Sequence, residues 1–361
     1  MTPTESTSAP KKPSGRKLRG AATIHDVARR AGVSPMTVSR VVNGEKNVRA
    51  TTRAAVLTAI KALNYAPNLA ARSLAGAEAA RIGLLYSNPS AAYLTEFLVG
   101  ALDESSRTSV QIMLEKCETS SVAERAAVRK LVDGGVSGII LPPPLCESQA
   151  VLEEIKKAGV AAVAVAGGRS GADASRVRID DYAAAFEMTA YLLDLGHRRI
   201  GFIKGHPNQT ASTEREHGFE AALNKAGVQM DPQLIVEGEF SYSSGLEAAE
   251  KLLAVKPRPT AIFASNDDMA AAAVSVAHRN GLSVPGDLSV VGFDDTSIAT
   301  TIWPELTTIK QPITEMAKSA LDLVVNAVRT SKKSGNVMKV SDQLVPHKLI
   351  KRQSAAAPKS A

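Results

Sequence analysis

The stretch that decides the fold reads TIHDVARRAGVSPMTVSRVVN from Thr23 to Asn43 and, after a further helical run, LNYAPNLAARSL from Leu63 to Leu74. Ile24, Val27, Ala28 and Ala31 recur at i, i+3, i+4 and i+7, which places one apolar stripe on a short helix. Thr23 followed by Asp26 has the spacing of a capping box, with Asp the shorter stand-in for Glu. Gly32 suits the left-handed residue that ends a helix, and Ser34-Pro35 supplies an N-cap hydroxyl and an N1 proline for the next one. That second helix turns Val38, Val41 and Val42 inward and ends at Asn43-Gly44, leaving Pro35, Met36, Ser39 and Arg40 outward. A third helix carries Val56, Ala59, Ile60 and Leu63 on one face, although Arg49 stands where a capping Ser or Asp is expected. Three helices of this size share one small core and can present the second in a DNA major groove, although such helix pairs also occur in proteins that touch no DNA.

Charge separates those readings. Residues 1–81 hold 14 of the 43 Lys+Arg and 4 of the 36 Asp+Glu, a net of +10; the remaining 280 residues hold 29 and 32, a net of −3. The basicity is local to the helical head, as phosphate binding requires. Residues 1–21, with Lys11, Lys12, Arg16, Lys17 and Arg19 among Pro, Ser and Gly, read as a disordered basic arm, either a source of nonspecific DNA affinity or a solvated tail.

With 361 residues and 44% hydrophobic content, the chain has material for two or three domains. It contains no run approaching the ~18 apolar residues of a membrane span. Its N-terminus lacks an apolar signal region, so a cytoplasmic protein is expected. Cys117 and Cys146 are isolated and read as buried thiols, with no disulfide, metal or cofactor implied. After Arg81, short apolar strands alternate with helices. Strands are expected at Ile82–Tyr86, Val110–Leu114, Ser137–Leu141 and Ala161–Val165, with helices at Tyr93–Ser106 and Ser121–Val132. A second series has strands at Arg199–Ile203, Ala261–Ala264 and Leu288–Phe293, with helices at Ala183–Leu195, Thr213–Ala226 and Tyr242–Leu253. The pattern predicts two doubly wound α/β lobes.

Ligands of open parallel sheets sit beyond the carboxyl ends of strands. Those positions here are Tyr86–Ser90, Asp180-Asp181, His206–Gln209, Asn266–Asp268 and Asp294-Asp295, a polar set suited to a polyhydroxylated ligand.

The run AGVSPMTVSRVVN with LNYAPNLAARSL resembles the DNA-binding region of LacI/GalR-type bacterial transcriptional regulators. The resemblance continues through ARIGLLYSNPSAAY, GHRRIGFI, PTAIFASNDDMA, DLSVVGFDD and LTTIKQP, from residue 22 to about 354. It implies a helix-turn-helix domain over 22–67, a hinge helix and linker over 68–81, a two-lobed effector-binding and dimerisation core over 82–354, and a disordered tail over 355–361. The core would be periplasmic-binding-protein-like, with the chain crossing between lobes near 180, 310 and 342. Function would be that of a repressor of carbohydrate uptake or catabolism genes, its operator binding controlled allosterically by a small ligand, a sugar, in the interlobe cleft.

Position by position, the resemblance brings Tyr93 and Leu94 to the ligand from the first lobe, and Arg215, Phe240, Asn266, Asp294 and Gln311 from the second lobe and a crossover. Arg215 and Asp294 lead this set, because a guanidinium fork and a carboxylate can hold adjacent hydroxyls. Asn266 also suits capping of the helix after it, Asp294 a turn after a buried strand, and Phe240 the core. Two departures stand out: Ala166 where several relatives have a cleft Asp, and Ala211 where a hydroxyl is common. His197 lies between a helix end and a strand with no nucleophile beside it, and is expected to be structural.

On DNA, the resemblance sets Ser34, Thr37, Ser39 and Asn43 against phosphates and Pro35, Met36 and Arg40 over base edges, with Asn47 also in the interface. Phosphate contacts fix register and base contacts choose sequence; of the three, only Arg40 can read guanine bidentately. Asn68–Leu74 is too short to be a stable helix alone and is expected to fold on DNA beside its mate, Leu74 wedging into the central base step. The C-terminal SAAAPKSA carries no leucine heptads, so a twofold homodimer on a pseudo-palindromic operator is expected. Two other classes fit less well. A sugar-binding transport component would carry a signal peptide and no helix-turn-helix. An enzyme would need a nucleophile or facing carboxylates, whereas Asp180-Asp181, Asp267-Asp268 and Asp294-Asp295 are sequence neighbours whose side chains point apart.

Overall fold

The structure is a computed structural model that describes residues 22–42, 48–63, 65, 80–167, 174–334 and 340–359. The chain divides into two compact units, one ending at Ala79 and one beginning at Ala80.

In the first unit, α1 (Ile24–Ala31), α2 (Pro35–Val42) and α3 (Ala50–Ala62) form as the capping pattern predicts. Thr23 and Asp26 make the reciprocal capping box, and Gly32 closes α1 in the left-handed region at φ 64°. Ser34 Oγ accepts the Thr37 N–H at 3.2 Å, which holds the start of α2 and tightens the turn. Arg49 at the head of α3 makes no side-chain cap, as expected of a residue with only donors to offer. Val27, Ala28, Val38, Val41, Val56 and Ala59 are buried together, flanked by Ile24, Ala31, Val42, Ile60 and Leu63. No side chain of that buried centre is larger than valine, so the unit's hydrophobic stabilisation is modest and its caps matter in proportion.

The second unit begins with β1 (Arg81–Tyr86), α4 (Ala91–Thr108), β2 (Gln111–Lys116), α5 (Ser121–Asp133), β3 (Gly138–Leu141), α6 (Gln149–Ala158), β4 (Ala161–Val165) and β5 (Ser175–Arg178). It continues with α7 (Asp181–Asp194), β6 (Ile200–Ile203), α8 (Thr210–Lys225), β7 (Ile235–Val236), α9 (Tyr242–Ala254), β8 (Ala261–Ala264), α10 (Asp267–Arg279) and β9 (Ser289–Asp294). Last come α11 (Ile298–Thr301), β10 (Thr307–Lys310), α12 (Ile313–Ser334), β11 (Asp342–Leu344) and β12 (Lys348–Ile350). Two six-stranded sheets result, ordered β11-β5-β4-β3-β1-β2 and β12-β10-β9-β8-β6-β7. Every pairing is parallel except β10 with β12. Helices cover both faces, so the central strands β3, β8 and β9 are buried along their whole length and read as continuous apolar runs.

The chain passes between lobes three times: from β5 into α7, from β10 into α12, and from β11 into β12. The last passage falls at 345–347, a few residues beyond the position near 342 expected from sequence. Close helix pairs anchor each lobe. A Cβ at Gly100 would collide with the Thr314 backbone, and one at Gly218 with the Tyr182 carbonyl, so α4 meets α12 and α8 meets α7 at contact distance. The expected disordered tail over 355–361 needs correction. Ser289 Oγ accepts the Ala356 N–H at 3.0 Å, and Lys359 reaches Asp287 at 2.6 Å, so the chain stays attached as far as Lys359.

Candidate functional site

The head offers one polar face. On α2, Val38 and Val41 point to the core, while Met36 is 65% exposed and Ser34 and Arg40 are exposed beside it. Pro35, Thr37 and Ser39 are half-buried on the same helix, and Ser34 Oγ lies 3.0 Å from Thr37 Oγ1. Six of the expected DNA contacts thus belong to one helix and its cap. Asn43, Asn47 and Leu74, together with the basic arm and Asn68–Leu74, lie outside the described residues.

In the second unit a cleft lies where the carboxyl ends of both sheets face each other. Asn88, Ser90, Tyr93, Pro143 and Ala166 line it from the first lobe; Gln209, Ala211, Arg215, Phe240, Asn266, Asp294 and the crossover residue Gln311 complete it. Six of the seven residues expected at the effector come together here. Leu94 does not: it is the next residue after Tyr93 on α4, and one step along a helix rotates a side chain by about 100°.

Arg215, buried on α8, is held from three sides. Its Nε and Nη2 each donate to Asp181 Oδ1 at 2.8 Å, and its Nη1 donates to the Ser265 carbonyl. Its planar guanidinium lies 3.5 Å from the centroid of the Phe293 ring. Asp181 is the first residue of α7, just past the first crossing, so the pair ties that crossing to α8. Burial raises the Asp181 carboxyl above its ordinary pKa, an effect that Arg215 opposes.

Asp294 ends β9, and its Oδ1 accepts from Gln311 Nε2 at 3.0 Å. Burial holds its carboxyl well above the usual carboxylate range, with Arg215 pulling the other way. Asn266 does both things the sequence allowed it. Its Oδ1 caps α10 by accepting the Met269 N–H, its Nδ2 donates to the Phe240 carbonyl, and it still lines the cleft. Phe240 likewise packs in the second lobe's core and faces the cleft; its ring rests on Gly205, where any Cβ would overlap it. Ala166, Phe240 and Asp294 all have positive φ, at 57°, 58° and 110°. Strain of this kind costs ~1–3 kcal/mol per residue and gathers at ligand sites.

Asn88, Ser90, Pro143 and Gln209 were not singled out from sequence. The strand-end rule already covered three of these positions; Pro143 gave no signal. Ser90 caps α4 by accepting the Tyr93 N–H and also donates to Asp268 at the start of α10, a bond from lobe to lobe. A second such bond joins Glu147, after β3, to the Thr210 N–H at 3.0 Å and its hydroxyl at 2.6 Å. The adjacent acids do point apart. Asp267 takes Thr296 and Thr308 while Asp268 takes Ser90, and Asp294 takes Gln311 while Asp295 takes Arg352. His197 is buried, with Nδ1 2.9 Å from Thr260 Oγ1 and Nε2 2.9 Å from the Ala356 carbonyl, in a fixed structural bracket. Among the described residues no helix is long and apolar enough to cross a membrane.

Fold and cleft define a class: a helix-turn-helix head in one chain with a two-lobed small-molecule sensor. Residues 23–68 match the bacterial regulatory proteins of the lacI family, and residues 189–355 match the periplasmic binding protein-like domain. The chain is 34% identical over 333 residues to catabolite control protein A of Priestia megaterium, covering 92% of this chain and 98% of that one. It is 33% identical to the transcriptional repressor PurR of Photobacterium profundum, covering 91% and 99%. Among solved structures, the lac repressor dimer bound to operator and the anti-inducer ONPF aligns at TM-score 0.72 and 28% identity, covering 94% and 100%. The transcriptional regulator CelR in complex with cellobiose aligns at TM-score 0.69 and 30% identity, covering 92% and 99%. The chain belongs to the LacI family of DNA-binding transcriptional regulators.

Proposed function

We propose that this regulator is a repressor of carbohydrate uptake or catabolism genes whose operator binding is set by a sugar in the interlobe cleft. The observation that carries the reading is a pair of buried polar atoms lining that cleft, Tyr93 Oη and Gln311 Oε1, which have no hydrogen-bond partner among the described residues. A buried polar group left unmet costs ~1–3 kcal/mol. Tyr93 can donate and Gln311 Oε1 can only accept, so a ligand hydroxyl serves both kinds of group. Arg215 and Asp294 beside them add hydrogen-bonding groups for further hydroxyls.

On the operator, Ser34, Thr37, Ser39 and Asn43 engage phosphates, Pro35, Met36 and Arg40 face base edges with Asn47 near them, and Leu74 of each protomer enters the central base step. A homodimer presents two such heads. The exposed Val99 and Leu102 on α4 and Leu114 on the edge strand β2 supply apolar surface on the first lobe for that assembly. The test is a gel-shift on the DNA upstream of the protein's own gene, run with a panel of mono- and disaccharides. A sugar that shifts the operator affinity supports the reading and reveals its sign. A nucleobase acting where no sugar does would overturn it.

A further inference from the structure

At the end of β9 the backbone takes, twice in succession, a conformation that L side chains rarely adopt: Asp294 has φ 110° and Asp295 φ 57°. Such a turn persists only where its surroundings hold it. Asp267, at the start of α10, accepts the Thr296 N–H at 2.8 Å and the Thr308 hydroxyl at 2.7 Å. Arg352 Nη2 donates to Asp295 Oδ1 at 2.6 Å, and Lys310 Nζ to Asp295 Oδ2 at 3.3 Å. Asp294 is tied to Gln311 twice over. Its carbonyl accepts the Gln311 N–H at 3.1 Å and its Oδ1 accepts from Gln311 Nε2 at 3.0 Å, so the turn and both side chains move together.

We propose that Arg352, in the segment after β12, is a positioning residue for the effector: acting through Asp295, it holds the left-handed turn that aims Asp294 and Gln311 into the cleft. The proposal rests on the carbohydrate reading above, which assigns Asp294 and Gln311 to the ligand, and adds a residue that sets affinity without touching it. Neither Arg352 nor Asp295 lines the cleft.

Of the groups around the turn, Arg352 is the one fitted to hold residue 295 itself. Asp267 grips the chain one residue later, at Thr296. Lys310 is 54% exposed and its longer contact is screened by water. The side chains of Arg352 and Asp295 are only 16% and 8% exposed, so their attraction is screened far less. Arg352 is also fixed in its own right. Its backbone N–H donates to Thr307 Oγ1 at 2.9 Å and its Nη1 to the Leu306 carbonyl at 2.8 Å, so the planar fork reaches Asp295 in a direction set by β10.

Breaking a nearly buried ion pair weakens any fold by stranding a charge, so both charges are removed together in the decisive comparison. Arg352→Ala is combined with Asp295→Gly in one full-length variant and with Asp295→Ala in another. Neither strands a buried charge, and they differ in whether residue 295 can be left-handed without a clamp: glycine can, and alanine cannot without cost. Calorimetric titration with glucose, cellobiose, maltose and lactose should find the glycine variant within about threefold of the wild type and the alanine variant roughly 5- to 30-fold weaker, the cost of one left-handed residue read as affinity. Arg352→Ala alone should lose at least as much as the alanine variant. Ligand-free crystal structures should show residue 295 at positive φ and the Asp294–Gln311 side-chain bond intact in the glycine variant, and both lost in the alanine variant. Equal affinities in the two double variants, wild-type affinity in Arg352→Ala, or an alanine variant whose turn stays in place would each overturn the positioning role while leaving the carbohydrate reading standing. Binding of no sugar by the wild type would overturn the carbohydrate reading instead, and the crystal structures would still decide whether Arg352 holds the turn.

Discussion

Tyr93 and His197 are both buried, and they illustrate opposite fates of a polar group in this core. His197 has partners at both ring nitrogens. Burial disfavours its charged form and lowers its pKa below the ordinary value of 6.5. The neutral ring is therefore favoured on folding. Its stabilisation is complete above about pH 6.5 and is lost as pH falls from there through the depressed folded value. Thermal unfolding of the wild type should show a decline in melting temperature below about pH 6.5; in His197→Gln the curve should start lower and slope less. An equally steep decline in the variant would assign the pH dependence elsewhere. Tyr93 is the contrary case, since its hydroxyl is buried with no partner among the described residues. Tyr93→Phe should hold or raise stability by roughly 1 kcal/mol and weaken effector binding about 2- to 10-fold, the worth of one hydrogen bond. Unfolding and titration curves on the same preparation check both halves. An unchanged effector affinity would remove Tyr93 from the ligand's hydrogen-bonding set.

At the scale of elements, what could be read in the sequence depended on whether the signal was local. The first two head helices were legible because Thr23, Gly32 and Ser34-Pro35 mark their ends in the chain itself, whereas the third, uncapped at Arg49, was legible only through its apolar spacing. The central strands were legible because two covered faces demand unbroken apolar runs. The strands β5, β7, β11 and β12 gave no such signal. Their sequences SRVR, IV, DQL and KLI are short or charged, and they exist because neighbours pair with them, with Asp342 held by Arg176 and Arg178 across β11 and β5. The long α12 was likewise not anticipated, although its buried Met316, Ala317, Ala320, Leu321 and Val324 follow helical spacing. The cleft was legible in part through the strand-end rule, which covers Asn88, Ser90, Gln209, Asn266 and Asp294, while Tyr93, Arg215, Phe240 and Gln311 came from the family resemblance. Leu94 shows the limit of that carry-over: sequence proximity to a site residue says nothing about which way a helix faces. That geometry also frames the prediction for α2. Its first exposed residues, Ser34 and Met36, have no strong base-reading donor, and Arg40, exposed one turn on, does. Arg40→Ala should cost ~1–3 kcal/mol of operator affinity and relax preference at one base pair per half-site. Binding-site selection on the variant checks this; an unchanged consensus would move base reading to other residues.

For the whole molecule, the head carries the positive charge and the core a small negative one, so attraction to DNA belongs to residues 1–81 and control belongs to the rest. Control of this kind is a difference in ligand free energy between two arrangements of the lobes. The bonds from Glu147 to Thr210 and from Ser90 to Asp268 exist only when the lobes are closed on each other. An effector that also bridges the lobes favours the same arrangement. Glu147 does not line the cleft, so Glu147→Ala should lower effector affinity through closure alone, by roughly 10- to 150-fold, the value of hydrogen bonds to a charged group. Linkage requires a second consequence. If the effector weakens operator binding, the variant without effector should bind operator more tightly, and if the effector strengthens it, the variant should bind more weakly, because mutation and effector push the same equilibrium in opposite directions. Paired titrations of effector and operator on the variant and wild type measure both. A variant whose operator affinity moves in the same direction as the effector's own effect would show that lobe closure is not the event that the head senses.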